Sequence, residues 1–265
     1  MGRIYTFVNQ KGGVGKTTSA INLGAYLGVF GQKVLIIDLD PQANATSCLN
    51  IDRQVVKGGT YQVLIGASPP ESFILHNPRL KLSILPASAE LAGAEIELVS
   101  EMARESKLRR AIQHLSEKYD YILIDCPPSL GLLTLNGLVA AKDGLIIPVQ
   151  CEYLALEGLG RLMDTIRRVR TALFPDLIIR GVLLTMFDSR TNLSNEIVEE
   201  VKRFFPNNVF QTIIPRSIRL AEAPSFGKPI VLYAPQSSGA IAYESFTREL
   251  LQGDGIVVPT PVHQN

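Results

Sequence analysis

Short apolar runs alternate with longer amphipathic stretches along nearly the whole chain. Residues 4–8 form the first run. After a polar, glycine-rich gap, residues 19–30 follow a helical pattern in which Ala20, Leu23, Gly24 and Leu27 recur at i, i+3, i+4 and i+7. Gly31 stands where a helix C-cap belongs. Residues 34–37 are unbroken Val-Leu-Ile-Ile, the pattern of a strand covered on both faces. Further strands are expected at residues 82–85, 121–124, 144–149, 178–185 and 210–214. Helices are expected at residues 61–65, 90–114 with a polar break near Ser106, 129–141, 154–173, 193–205 and 238–251. Strands alternating with helices in this way predict an α/β fold built on a doubly wound, mainly parallel sheet. It is expected to form one domain, residues 1–252. Residues 253–265 carry two glycines and two prolines and read as a weakly ordered tail.

The glycine-rich gap carries the first chemistry. It reads Asn9-Gln10-Lys11-Gly12-Gly13-Val14-Gly15-Lys16-Thr17-Thr18 and joins a strand to a helix. Gly12, Gly13 and Gly15 let the backbone fold tightly, so that N–H groups along Gly12 to Thr18, Val14 included, face phosphate oxygens. The helix that follows adds the positive end of its dipole. Lys16 can reach β- and γ-phosphates, and the Thr17 hydroxyl can ligate Mg²⁺. This is a phosphate-binding loop with a second lysine at its start.

Two acidic motifs follow at strand ends. The second strand runs into Asp38-Leu39-Asp40-Pro41-Gln42, which puts two carboxylates beside the crevice where such folds bind ligands. The run Tyr121-Ile122-Leu123-Ile124 ends in Asp125, a Walker B pattern able to hold a Mg²⁺-bound water. Cys126-Pro127-Pro128 then forces an extended exit.

Composition narrows the class. The chain has 265 residues, 46% of them hydrophobic, enough for one large core. No apolar run approaches the ~20 residues of a membrane span, and the first strand leaves no room for a signal peptide, so a cytoplasmic protein is expected. Cys48, Cys126 and Cys151 form no Cys-x-x-Cys pair and read as reduced, buried thiols. His76, His114 and His263 are scattered, which disfavours a histidine metal site. With a net charge of +1, any nucleic-acid surface has to be a local patch.

The loop with its leading lysine, the Asp38-to-Gln42 motif, the stretch from Asp120 to Ser129 and the late Pro215-Arg216-Ser217-Ile218-Arg219-Leu220-Ala221-Glu222-Ala223-Pro224 together resemble the ParA/MinD family of deviant Walker ATPases. The likeness spans residues 1–252 and leans towards the chromosomal ParA (Soj) branch. It implies an ATPase that forms a homodimer around two ATP molecules. Lys11 would reach the partner's phosphates, while Lys16 and Thr17 would serve their own subunit. Asp38 and Asp125 would hold the water shell of Mg²⁺. Asp40 would orient the attacking water; ordinary carboxylates are poor bases at neutral pH, so orientation is the role implied. The resemblance also places Met186 and Pro215 near the adenine. It implies non-specific binding of double-stranded DNA by Arg190 and Arg219, with Arg216 and Lys202 as further candidates, a ParB-like partner, and a cytoplasmic, nucleoid-associated protein that segregates a chromosome or plasmid. Taken singly, each of these arginines also fits a plain solvated charge. Only three residues precede the first strand, so a DNA-reading N-terminal domain is not expected. The alternatives are a MinD-like membrane-associated ATPase that regulates cell-division placement, an iron–sulfur carrier and a biosynthetic ligase of the same fold. Residues 253–261 lack the amphipathic pattern the first would need. The cysteine spacing does not suit the second, and no substrate-pocket signature marks the third.

Overall fold

Most of the apolar runs become strands of one sheet. The computed structural model describes residues 1–52, 56–152 and 155–257, and orders seven strands β3-β4-β2-β5-β1-β6-β7. In chain order they are β1 (Arg3–Phe7), β2 (Val34–Asp38), β3 (Leu75–Asn77), β4 (Leu82–Leu85), β5 (Tyr121–Asp125), β6 (Gly144–Gln150) and β7 (Ile179–Thr185). Every pairing is parallel except that of β3 with β4. The helices are α1 (Lys16–Val29), α2 (Asn44–Cys48), α3 (Thr60–Leu64), α4 (Leu91–Glu97), α5 (Lys107–Ile112), α6 (Leu132–Ala140), α7 (Ala155–Ala172), α8 (Asn192–Phe204), α9 (Ile218–Glu222), α10 (Ile230–Tyr233) and α11 (Ser238–Gly253). The doubly wound, mainly parallel α/β architecture expected from the alternation is the one observed.

Strand periodicity sorts side chains onto two faces. Tyr5 and Phe7 of β1, Ile36 of β2 and Leu123 of β5 pack under α1 and α11. Their neighbours Ile4, Leu35, Ile37, Ile122 and Ile124 face the opposite core with α3 to α6. Towards β6 and β7 that second face is covered by α7 and α8. Helix α1 lies close against the turn that leads into β4 because Gly28 has no side chain: a Cβ there would sit 1.8 Å from the Leu80 carbonyl oxygen.

Three stretches depart from the pattern. Residues 210–214 do not form a strand. The Phe210 and Ile214 amides do donate to the Val182 and Leu184 carbonyls of β7, at 3.0 and 2.9 Å, but between them the Gln211 and Thr212 amides donate to the Glu249 carboxylate, at 2.6 and 2.9 Å, and break the ladder. Residues 90–114 break into α4, α5 and short 3₁₀ turns, with Ala103 in the left-handed region at φ 51°. Gly253 closes α11, with Asp254 as its cap. Asp254 is an anchor, its side chain 1% exposed, and residues 258–265 lie outside the described residues.

Asp254 ties the C-terminal end of α11 to the N-terminal ends of three strands. Its carboxylate accepts from Tyr5 Oη at 2.7 Å, Tyr121 Oη at 2.9 Å and Arg180 Nη2 at 3.2 Å, and lies 3.5 Å from Arg3 Nε. Burial, then the hydrogen bond and charge of Asp254, hold the Tyr5 hydroxyl well above its usual pKa. Removing one partner of a buried ionic cluster leaves the others uncompensated. Asp254→Asn is expected to cost about 3 kcal/mol in guanidinium unfolding; an unchanged midpoint would exclude the anchor role.

Candidate functional site

The site forms where β1 ends and α1 begins. Gly13 and Gly15 take φ of +72° and +91°, which lets the chain between Phe7 and Lys16 curl into a cradle. The cradle is fixed to neighbouring strands on one side. Asn9 Nδ2 donates to the Pro148 carbonyl of β6 at 2.7 Å, and Asn9 Oδ1 accepts from the Lys11 amide. Thr185, at the tip of β7, donates to the Val14 carbonyl at 2.9 Å. Neither Asn9 nor Thr185 was singled out by sequence; each is a lone polar residue closing an apolar run, a weak signal.

Parallel register brings the acidic residues beside this cradle. Asp38 of β2 pairs directly with Asp125 of β5, and Phe7 of β1 pairs with Asp125 on the other side. Both carboxylates are fully buried. Thr17 Oγ1 donates to Asp125 Oδ2 at 2.7 Å, while Asp125 Oδ1 is buried with no hydrogen-bond partner. Lys16 is 6% exposed, and its Nζ donates to the Lys11 carbonyl at 3.2 Å. Burial lowers the Lys16 pKa, against the pull of Asp125. Burial, then the charge of Asp38, push Asp125 upward, opposed by Thr17 and Lys16. An orphaned carboxylate oxygen beside a threonine hydroxyl is a hard oxygen donor set, and it fits Mg²⁺.

Asp38 is committed differently. Its Oδ2 accepts from the Thr46 amide and hydroxyl at 2.8 and 2.7 Å, and its Oδ1 accepts from the Asp40 amide at 3.2 Å. Three of its four acceptor directions thus hold the loop that follows β2. Burial still raises its pKa to about 6, against the Thr46 bonds. Asp40 is 5% exposed, and its Oδ1 accepts from the Gln42 amide. The Lys11 ammonium has no ion-pair partner among the described residues. The three cysteines are buried, and burial raises Cys48 and Cys151 to about 12, so they are inert thiols at neutral pH.

Beside the cradle lies a cavity of about 260 Å³, walled by Gly15, Thr18, Met186, Ile214, Pro215 and Tyr243. Met186 turns there through φ 52°. The mostly apolar lining suits a heterocyclic base. A larger cavity, about 630 Å³, opens at the other end of the sheet around Met1, Arg109 and Phe174 and holds none of the motif residues.

The basic candidates are brought together only in part. Asp188 binds Arg190 through two bonds of 2.8 and 2.7 Å and feels the charge of Arg216, so these two arginines share one rim. Arg219 begins the next helix. Lys202 lies about ten residues along α8, ~15 Å away by helical rise. Each carries its own carboxylate: Asp188 for Arg190, Glu152 for Arg216, Glu222 for Arg219 and Glu199 for Lys202.

Fold and cradle define a phosphate-loop nucleoside triphosphatase with two buried acids side by side at its strand tips. The model of the AAA domain family matches residues 2–179. The chain is 52% identical over 250 residues to the sporulation initiation inhibitor protein Soj of Bacillus subtilis (strain 168), covering 94% of this chain and 98% of Soj. It is 51% identical to the chromosome partitioning protein ParA of Myxococcus xanthus (strain DK1622), covering 96% and 89% of the two chains. The crystal structure of a cobyrinic acid a,c-diamide synthase from Mycobacterium smegmatis with bound ADP and magnesium superposes with a TM-score of 0.84 at 38% identity, over 98% of this chain and all of that one. The chain belongs to the Soj/ParA family of chromosome-partitioning ATPases. Among the described residues no helix is long and apolar enough to cross a membrane.

The cradle glycines differ in what they tolerate. A Cβ on Gly12 meets only Pro128 Cβ at 3.9 Å, whereas Gly15 has space but a left-handed φ. Gly12→Ala is therefore expected to leave nucleotide-free stability within about 0.5 kcal/mol, and Gly15→Ala to cost about 1–2 kcal/mol, as read by chemical denaturation. Equal effects would show that backbone conformation is not what selects glycine at residue 15.

Proposed function

We propose that this chain is a ParA-type ATPase whose ATP-bound homodimer binds DNA without sequence preference and releases it on slow hydrolysis. The observation that carries the reading is the cradle itself: a buried Lys16, a Thr17–Asp125 pair with one orphaned oxygen, and a second lysine with no ion-pair partner among the described residues. Family membership supplies the biological setting, segregation of a chromosome or plasmid with a ParB-like partner.

In this reading the loop amides and Lys16 bind the β- and γ-phosphates of ATP, and the cavity beside Met186 and Pro215 takes the adenine. Thr17 and Asp125 would hold Mg²⁺, with Asp38 behind them; the ion, when bound, neutralises charge on the phosphate oxygens. Asp40 orients a water towards the γ-phosphorus. The water oxygen bonds to phosphorus as the bond to the β–γ bridging oxygen breaks, giving ADP and phosphate, and the water's proton leaves with the products. Lys11 of one subunit places its ammonium against the phosphates of the other, where charge develops in the transition state. Without an arginine finger, worth ~10³–10⁵ in rate in related chemistry, turnover is slow. Arg190, Arg216 and Arg219 exchange their carboxylate partners for DNA phosphates, and pairing two subunits couples two weak patches. A second reading, ATP-driven ligation of a small-molecule carboxylate, takes support from the Mycobacterium smegmatis structure. It requires turnover that depends on a carboxylate acceptor.

The test is binding to random-sequence duplex DNA with ATP, ADP or no nucleotide, across a salt series. Retardation with ATP alone, weakening steeply as salt rises, is expected; equal binding in all three states would refute the proposal. Lys16→Ala should abolish ATP binding. Lys11→Ala should bind ATP yet stay monomeric in sedimentation, and a stable ATP dimer of that variant would remove the trans role. Arg219→Glu or Arg190→Glu should dimerise normally and lose DNA retardation; retained retardation would move the patch elsewhere.

A further inference from the structure

Asp40 sits in an arc, residues 39–46, that starts from the Leu39 amide bond to the Asp125 carbonyl at 2.9 Å and turns on the Ala43 amide bond to the Asp40 carbonyl at 2.8 Å. Ala43 occupies the left-handed region at φ 53°, and the first bond from Asp38 to the arc, Asp40 N to Asp38 Oδ1, is long at 3.2 Å. The arc is closed at its far end. Thr46, fully buried, donates its amide and its hydroxyl to the same Asp38 oxygen. The Thr46 hydroxyl also accepts from the Ala87 amide just beyond β4, at 3.0 Å. Thr60 ties the same two strand ends from the other side, donating to the Asp38 carbonyl at 2.7 Å and approaching the Pro86 carbonyl at 3.2 Å. Within the arc, Asp40 Oδ1 is held by the Gln42 amide, which leaves Oδ2 without a donor among the described residues.

We infer that Thr46 is a positioning residue for hydrolysis: its hydroxyl, clamped between Asp38 and the Ala87 amide, fixes the arc that aims Asp40 at the attacking water. A hydroxyl is suited to this place because it donates to a carboxylate and accepts from an amide at once. Valine has the same shape and does neither. Misplacement of an orienting group by about 1 Å can cost ~10²-fold in rate. The Thr46 amide bond to Asp38 survives substitution, so the loss expected is about tenfold. Thr46 lines neither the cradle nor the cavity beside it, and its amide bond to Asp38 remains in the variant, so affinity for ATP should stay within about twofold.

The inference rests on the water-orienting reading of Asp40, and the experiment separates the two. Single-turnover hydrolysis is measured for the parent, Thr46→Val, Thr46→Ser and Asp40→Ala, with each rate normalised to nucleotide-binding sites titrated with a fluorescent ATP analogue, so that partial unfolding does not enter the rate. Expected are a roughly tenfold slower step for Thr46→Val with analogue affinity within about twofold, recovery to near the parent rate in Thr46→Ser, and loss of turnover in Asp40→Ala. Parent-like hydrolysis by Thr46→Val while Asp40→Ala is inactive would overturn the positioning role alone. Equal losses in the valine and serine variants would overturn it too, because the hydroxyl would not be the cause. Parent-like hydrolysis by Asp40→Ala would remove the water-orienting reading and this inference with it.

Discussion

Two carboxylates side by side at buried strand tips are the constraint on which the working end of this molecule depends. Parallel strands lie about 4.8 Å apart, so the Asp38–Asp125 register places two acids at close range in a low-dielectric setting. The fold resolves the conflict by giving them different company. Asp38 is surrounded by donors from its own loop and becomes a structural acceptor. Asp125 receives one hydroxyl and the nearby charge of Lys16, and keeps one oxygen unsatisfied. One acid therefore shapes the loop, while the other keeps a buried oxygen orphaned. Such an oxygen is costly, and in the proposed cycle a divalent cation held there would offset that cost.

The rest of the sheet keeps this arrangement rigid from both ends. Asn9 and Thr185 fasten the cradle to β6 and β7, so the loop moves with the strands and not as a free turn. At the opposite ends of the strands, Asp254 gathers side chains from β1, β5 and β7 onto the last turn of α11. That helix also lines the cavity of about 260 Å³ beside the cradle through Tyr243, whose hydroxyl meets Ser19 of α1 at 3.0 Å. A single helix thus connects the ionic anchor at one end of the sheet to the wall of the cavity at the other.

How much of this could be read from sequence follows from how local each feature is. Strands buried on both faces announce themselves as aliphatic runs, and the cradle as glycines with Lys16 and Thr17 in fixed spacing, so both were legible. Residues 210–214 carry the same apolar look and still fail to make a strand, because the distant Glu249 carboxylate takes the two central amides, Gln211 and Thr212, and leaves only Phe210 and Ile214 bonded to β7. The antiparallel edge strand β3 is too short and too exposed to carry a period. Asp254 looks like a tail residue until the fold brings two tyrosines and two arginines around it. The commitment of Asp38 to Thr46 was hidden for the same reason: spacing shows which acids stand at strand ends, but not which donors will reach them first.

The paired arginines bear on how a nearly neutral protein binds DNA in the proposed cycle. With a net charge of +1 there is little field to steer a polyanion from a distance. Arg190 and Arg216 at the rim, and Arg219 on α9, are each already matched by a carboxylate. Exposed pairs of this kind are worth roughly 0–1 kcal/mol, so exchanging a carboxylate for a phosphate is close to balanced for any one of them. The balance shifts when several exchanges occur on one duplex, because counterions leave the DNA together. Two subunits joined through ATP double the number of exchanges without adding a contact of a new kind. A patch that is nearly silent in one subunit and effective in two is what nucleotide-controlled binding requires, and self-paired arginines give that contrast more sharply than free ones, which would hold DNA in every state.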